Sequence, residues 1–239
     1  MLKLLAGDEM PIYFQSKDIV LPGDLLAEGD YKAGIGTFKE NSKIYSAVIG
    51  LFEVRGKILR VISLEGTYIP RPNDVVIGKI VDVSATNWKV EIRAPYLANL
   101  PAANYFDKPI DPLKSDIRRY LNVGDIIVAK VVSFNRAQDP LLTTKERGLG
   151  KLRGGRIIEM SPTKIPRFIG RKGSMVNMIK EETGCRIIVG QNGRIWVSCK
   201  TPEYEELIEK VIRKIELEAH TSGLTDRVRE LIRKEKERL

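Results

Sequence analysis

Histidine is almost absent from this 239-residue chain, which has only His220, and cysteine is limited to Cys185 and Cys199. A Cys/His zinc site draws on about four ligands, so that class of site is excluded. No run approaches the ~18 apolar residues of a membrane span, and residues 1–9 turn acidic too soon for a secretory signal. A soluble, cytoplasmic protein with no membrane partner is therefore expected. In a reducing compartment, Cys185 and Cys199 read as two small buried thiols rather than a bridge. Clustered carboxylates are scarce as well. Asp107, Asp111 and Asp116 fall close together, but in a proline-rich connection where acids are common. No base, nucleophile pair or metal cluster emerges, so the expectation is a non-enzyme with no cofactor, no metal and no catalytic residues.

Positive charge is what the chain has in excess. The net charge is +9, and division at Gly150 leaves most of it in the C-terminal part. Between Glu159 and Glu181 stand Lys164, Arg167, Arg171, Lys172 and Lys180, with no acid. Two of those cations stand inside the phrase Gly170-Arg171-Lys172-Gly173 and two more, Lys164 and Arg167, shortly before it. Glycines at this spacing let backbones approach closely, and the first N–H groups of a following helix carry the positive end of its dipole. Residues 156–160 alternate like a strand, and Ser161-Pro162-Thr163 reads as a turn and helix start. A helical period continues to Thr183 and stops at Gly184. Residues 185–189 and 194–199 then form a hairpin around Gln191-Asn192-Gly193. An amphipathic helix follows over 203–219, with Leu207, Val211, Ile212 and Ile215 on one face. The order β-α-α-β-β-α and the Gly-x-x-Gly loop resemble the eukaryotic-type KH family of single-stranded nucleic-acid binders. That resemblance implies that Gly170, Arg171, Lys172 and Gly173, with Arg167 and Lys164, hold an RNA backbone.

The middle of the chain carries a second pattern. Residues 74–83, 87–93, 122–132 and 141–144 read as strands, and a polar stretch with Pro95, Pro101, Pro109 and Pro112 separates the second from the next. Short strands with a long connection suit a five-stranded barrel of the OB type. The phrases around Gly78-Lys79-Ile80 and Val123-Gly124-Asp125 resemble the RNA-binding OB domain of ribosomal protein S-one. Trp88, Lys89, Arg93 and Lys130 are the candidates there for base stacking and phosphate contact.

Glycine-punctuated short strands, including residues 44–52 and 58–64, make the N-terminal part a small β domain of near-neutral charge, suited to protein docking. The expected architecture is multidomain, mainly β plus α+β. It comprises an N-terminal β domain (1–70), an OB-fold barrel (71–150), a KH domain (151–220) and a charged helical tail (221–239). The tail has three possible places: packed on the KH domain, against a neighbouring subunit, or free. With its Leu21-Pro22-Gly23-Asp24 turn, its Tyr68-Ile69-Pro70 segment and its KH loop, the chain resembles the KH-containing RNA-binding cap subunits of the archaeal exosome. The resemblance implies a trimeric cap of three copies on a hexameric ring of phosphorolytic ribonuclease subunits, guiding single-stranded RNA inward. Transcription elongation or ribosome-associated factors that join the same two modules remain the alternative.

Overall fold

The computed structural model describes residues 11–64, 66–106, 116–135, 137–219, 221 and 223–238. The chain divides into two compact units, residues 1–66 and 67–239.

The first unit is built from short strands: β1 (Ile19–Val20), β2 (Leu25–Glu28), β3 (Lys32–Ala33), β4 (Thr37–Glu40), β5 (Lys43–Ser46), β6 (Gly50–Arg55) and β7 (Ile58–Ser63). They form a four-stranded sheet, β1-β6-β7-β3, and a three-stranded sheet, β2-β5-β4. Alternation on β5, β6 and β7 sends Ile44, Phe52, Leu59 and Val61 inward, where they meet Val20 and Leu26. Removing that surface from water is what holds so small a unit together. Several large apolar side chains remain outside the core, among them Tyr13, Ile19, Leu21, Ile35 and Phe38.

The second unit begins with the barrel: β8 (Val75–Val83), β9 (Asn87–Glu91), β10 (Leu97–Pro101), β11 (Ile126–Asn135) and β12 (Gln138–Thr143), with the short β13 (Gly150–Lys151) added on β11. The strands pair in the order β12-β10-β9-β8-β11, and a further β11–β12 pairing closes the ring. Closure leaves no free edge. Strand β10 lies inside the stretch that its prolines mark as irregular. Pro101 stands at its last position, opposite Asn87, where a missing N–H disrupts the ladder least. One turn of helix, α1 (Ala102–Tyr105), and a 3-10 turn at Ile117–Arg119 follow β10. Asp116 caps that 3-10 turn by accepting the Arg118 N–H at 3.0 Å. Asp107 and Asp111 lie outside the described residues, as does His220.

The remainder has the order expected of a KH domain. Strand β14 (Arg156–Glu159) leads to α2 (Ile165–Ile169) and α3 (Ser174–Thr183), then to β15 (Arg186–Val189), β16 (Arg194–Ser198) and α4 (Pro202–Leu217). The sheet order is β14-β16-β15, so β15 is an edge strand. Pro202 opens α4 and Glu203 and Glu205 sit in its first turn, where a fixed φ and negative charge both favour a helix start. Leu207, Ile208, Val211, Ile212 and Ile215 form its buried stripe. Helix α5 (Leu224–Lys236) settles the place of the tail. It packs on α3 and α4 through Leu224, Val228 and Ile232, each four residues from the next, which complete the same core.

The cysteines correct the sequence expectation of free thiols: Cys185 and Cys199 form a disulfide with Cα atoms 4.5 Å apart. The cause is register. Arg186 pairs with Ser198, so the residues just outside that pair face each other across the hairpin. Replacing both cysteines by serine is expected to lower unfolding free energy by about 2 kcal/mol, through the loss of a short cross-link. Denaturant melts with and without reductant check this, and a reductant effect that persists in the double-serine chain would refute it.

The barrel and the KH unit are joined through the turn between β15 and β16. Asn192 is fully buried there. Its Oδ1 accepts the Ile77 N–H at 3.2 Å, and its Nδ2 donates to the Ile77 and Ile92 carbonyls, both at 2.8 Å. Gln191 N–H donates to the Val75 carbonyl at 2.7 Å. Beside these bonds Ile77, Val128 and Trp196 share a small apolar cluster.

Candidate nucleic-acid interface

The Gly-x-x-Gly loop is a tight link between two helices. Gly170 ends α2 with φ 76° and ψ 174°, and its N–H donates to the Pro166 carbonyl at 3.0 Å. Lys172 follows at φ 52° and Gly173 at φ 82°. Three positive φ values within four residues turn the chain sharply enough for Ser174 to start α3 at once. A Cβ at position 170 would lie 2.7 Å from the Met175 nitrogen and 2.9 Å from its Cβ, so this position requires glycine. At Gly173 the nearest atom would be the Asn177 Nδ2 at 3.3 Å, a far milder conflict.

No side chain caps the first turn of α3. The Ser174 N–H donates to the Arg171 carbonyl of the preceding 3-10 turn, and the positive end of the helix dipole lies at the same place. Arg171 and Lys172 project beside that turn, both exposed. Among the described residues neither they nor Lys164 nor Lys180 makes an ion pair. Arg167 is exposed as well, and its Nη2 donates to the Thr221 carbonyl at 2.6 Å, which holds one end of the guanidinium. Nearby acids are engaged elsewhere: Glu216 accepts the Ser161 N–H at 2.7 Å, and Glu182 lies near Arg229 and Arg233 of α5. The result is an anion-attracting surface on one end of α3, next to the edge strand β15. Arg186 on that strand lies over the Trp196 ring, 5.7 Å from its centroid.

The barrel candidates fare differently. Trp88 has no exposed surface and donates its Nε1–H to the Leu121 carbonyl at 2.9 Å, so it is core and presents no ring to a base. It shares strand parity with Val90, which is also fully buried. Arg93 is held at the joint between barrel and KH unit. Its Nη1 donates to the Met160 carbonyl at 2.7 Å, and Glu159 lies 3.7 Å from its Nε. Lys89 pairs with Asp139 at 2.8 Å and Lys130 with Glu146 at 2.7 Å, both on the surface. The outward face of β9 and β10 carries Asn87, whose Nδ2 donates to the Asn99 Oδ1 at 2.5 Å, beside Lys89. Neither asparagine stood out in the sequence, although both have the parity opposite to Trp88 and Leu100.

Among the described residues no group of three or more His, Cys, Asp or Glu side chains is placed to hold a metal ion. No helix is long and apolar enough to cross a membrane. The arrangement can hold an extended polyanion by exposed cations at the positive end of a helix dipole.

Three family models match consecutive parts of the chain. They are the exosome RNA-binding protein RRP4 N-terminal domain over residues 17–65, the S1 domain of exosome complex component RRP40 over 68–154, and a KH domain over 155–203. Exosome complex component Rrp4 of Pyrococcus furiosus is 52% identical over 223 residues, covering 92% of this chain and 84% of that protein. The Methanothermus fervidus protein of the same name is 46% identical over 221 residues, covering 92% and 97%. The crystal structure of a protein assigned as an exosome complex RNA-binding protein aligns with a TM-score of 0.67 and 43% identity, over 72% of this chain and 98% of that one. The chain belongs to the Rrp4 family of exosome complex components.

Proposed function

We propose that this chain is a non-catalytic, cytoplasmic RNA-binding subunit of an exosome. Three copies form a cap on a hexameric ring of phosphorolytic ribonuclease subunits, and the cap captures single-stranded RNA and feeds its 3′ end to active sites in the ring. The division of labour follows three domains. Residues 1–70 dock on the ring, residues 71–150 form the S1 barrel, and residues 151–220 form the KH domain that grips the RNA backbone. The exposed apolar side chains Ile19, Leu21, Ile35 and Phe38 of the first unit suit a docking surface.

One observation carries the RNA reading. Arg171 and Lys172 stand exposed and without ion-pair partners at the uncapped start of α3. Unpaired cations at the positive end of a helix dipole favour phosphate wherever it occurs along a strand, which gives grip without base specificity. Several such weak contacts, repeated over the copies of a cap, raise the effective affinity together.

Changing Arg171→Asp and Lys172→Asp together tests it. Affinity for a single-stranded oligoribonucleotide is expected to fall at least about 10-fold, and the slope of log K against log salt by about 1.4, at ~0.7 per lost phosphate contact. Co-purification with the nuclease ring should persist, because the substitutions lie outside the docking domain. Unchanged RNA binding would make the loop structural, and capture of RNA polymerase in place of a nuclease ring would overturn the exosome reading.

A further inference from the structure

Trp88 does not present a ring to solvent, but it starts a series of rings that does. It packs on Tyr105 with centroids 5.2 Å apart. Tyr105 meets Phe106 edge-on at 4.8 Å, and Phe106 meets Tyr120 edge-on at 4.6 Å. The series ends at the surface, where Tyr120 is 46% exposed. A ring backed by Phe106, which is itself packed on Tyr105 and Trp88, has less side-chain freedom to lose when something stacks on it.

The turn that carries Tyr120 also fixes two cations. Ile117 and Leu121 are buried, so the three residues between them, Arg118, Arg119 and Tyr120, all face solvent. Neither arginine has an ion-pair partner among the described residues, whereas Lys89 and Lys130 elsewhere on the barrel are each tied to a carboxylate.

We propose that Arg118, Arg119 and Tyr120 form a second single-stranded RNA contact on the barrel, in which the arginines hold phosphates and Tyr120 stacks on a base. The pattern favours nucleic acid over an acidic peptide. A single strand offers both phosphates and flat π faces, and this patch offers guanidinium groups beside a flat ring. Acidic side chains would satisfy the arginines and leave the ring unused. The inference rests on the RNA-binding reading above and adds a site to it.

The test uses the full chain and a fluorescein-labelled single-stranded oligoadenylate. Arg118→Gln with Arg119→Gln is expected to weaken binding about 10-fold and to reduce the salt slope by about 1.4, at ~0.7 per contact. Tyr120→Leu should weaken binding about 10-fold with the slope unchanged, and Tyr120→Phe should stay within about twofold of the parent, because stacking needs the ring and not the hydroxyl. All these side chains are exposed, so unchanged thermal melts should accompany each result. Wild-type affinity in both the double-glutamine and the leucine chains, alongside lost binding in the Arg171→Asp, Lys172→Asp chain, would overturn this site and leave the RNA reading standing. No binding by the parent chain would overturn both. Weaker co-purification with the nuclease ring at unchanged RNA affinity would assign the patch to a protein contact and also overturn it.

Discussion

Replacing Asn192 by alanine is expected to lower the unfolding free energy of residues 67–239 by about 4 kcal/mol, and to lower the melting temperature by about 10 °C. The side chain is fully buried and serves three backbone groups of the barrel: the Ile77 N–H, the Ile77 carbonyl and the Ile92 carbonyl. Alanine leaves all three without that partner in a site closed to water, and each orphaned group costs roughly 1–3 kcal/mol. Arg194 Nη1, 3.5 Å from the Ile77 carbonyl, recovers only a weak part of the loss. Asn192→Asp should be at least as harmful, since it keeps the acceptor, removes both donations and buries a charge. Calorimetry checks the prediction. A loss below about 1 kcal/mol would mean that water enters and replaces the amide. The joint also has a functional consequence. Because the β15–β16 turn is occupied by the barrel, the RNA contact proposed for the KH unit falls to the α2–α3 loop and the β15 edge.

The Asn192 contact illustrates what the sequence could not reveal. Asn-Gly between two apolar runs signals a hairpin turn, and the turn is there. Nothing local says that its amide will be spent on another domain's backbone 115 residues away. The loop glycines were legible because their conformational demand is local: a helix that stops and restarts within four residues needs positive φ. Trp88, a stacking candidate for which a core place was equally open, lies in the core, and the signal for that was present. Its parity matches Val90, both buried, while Asn87, Lys89 and Glu91 alternate outward. A tryptophan beside a lysine draws attention as a stacking pair, but on a strand neighbours face opposite ways. Cysteine pairing was equally accessible in register, since a turn centred on residue 192 sets Cys185 against Cys199. The reducing-compartment argument outweighed that geometry in the sequence reading. Strand β10 was hidden by the prolines at 95 and 101, of which only Pro101 belongs to the strand and stands at its end.

Gly170 and Gly173 look equivalent in the motif, yet they should respond very differently to substitution. Gly170→Val is expected to destabilise the KH unit by about 3 kcal/mol, because φ 76° with ψ 174° lies in a region nearly closed to residues with a Cβ, a cost of about 1–3 kcal/mol by itself. Added to this is a Cβ 2.7 Å from the Met175 nitrogen, which is backbone of the first turn of α3 and cannot step aside alone. Relief comes by opening that turn, which also removes the N–H groups and shifts Arg171 and Lys172, so RNA affinity should fall more than about 10-fold. Gly173→Asn, by contrast, occupies the left-handed region at φ 82°, which asparagine visits, and the nearest atom is the end of the Asn177 side chain. Its expected cost is under about 1 kcal/mol, with RNA affinity within about threefold. Thermal melts and binding curves on the two chains decide the matter. If both lost stability alike, flexibility of the whole loop would be what the motif preserves. If only Gly170→Val fails, the motif protects one backbone approach, the one that sets the first turn of α3 where the proposed phosphate contact needs it.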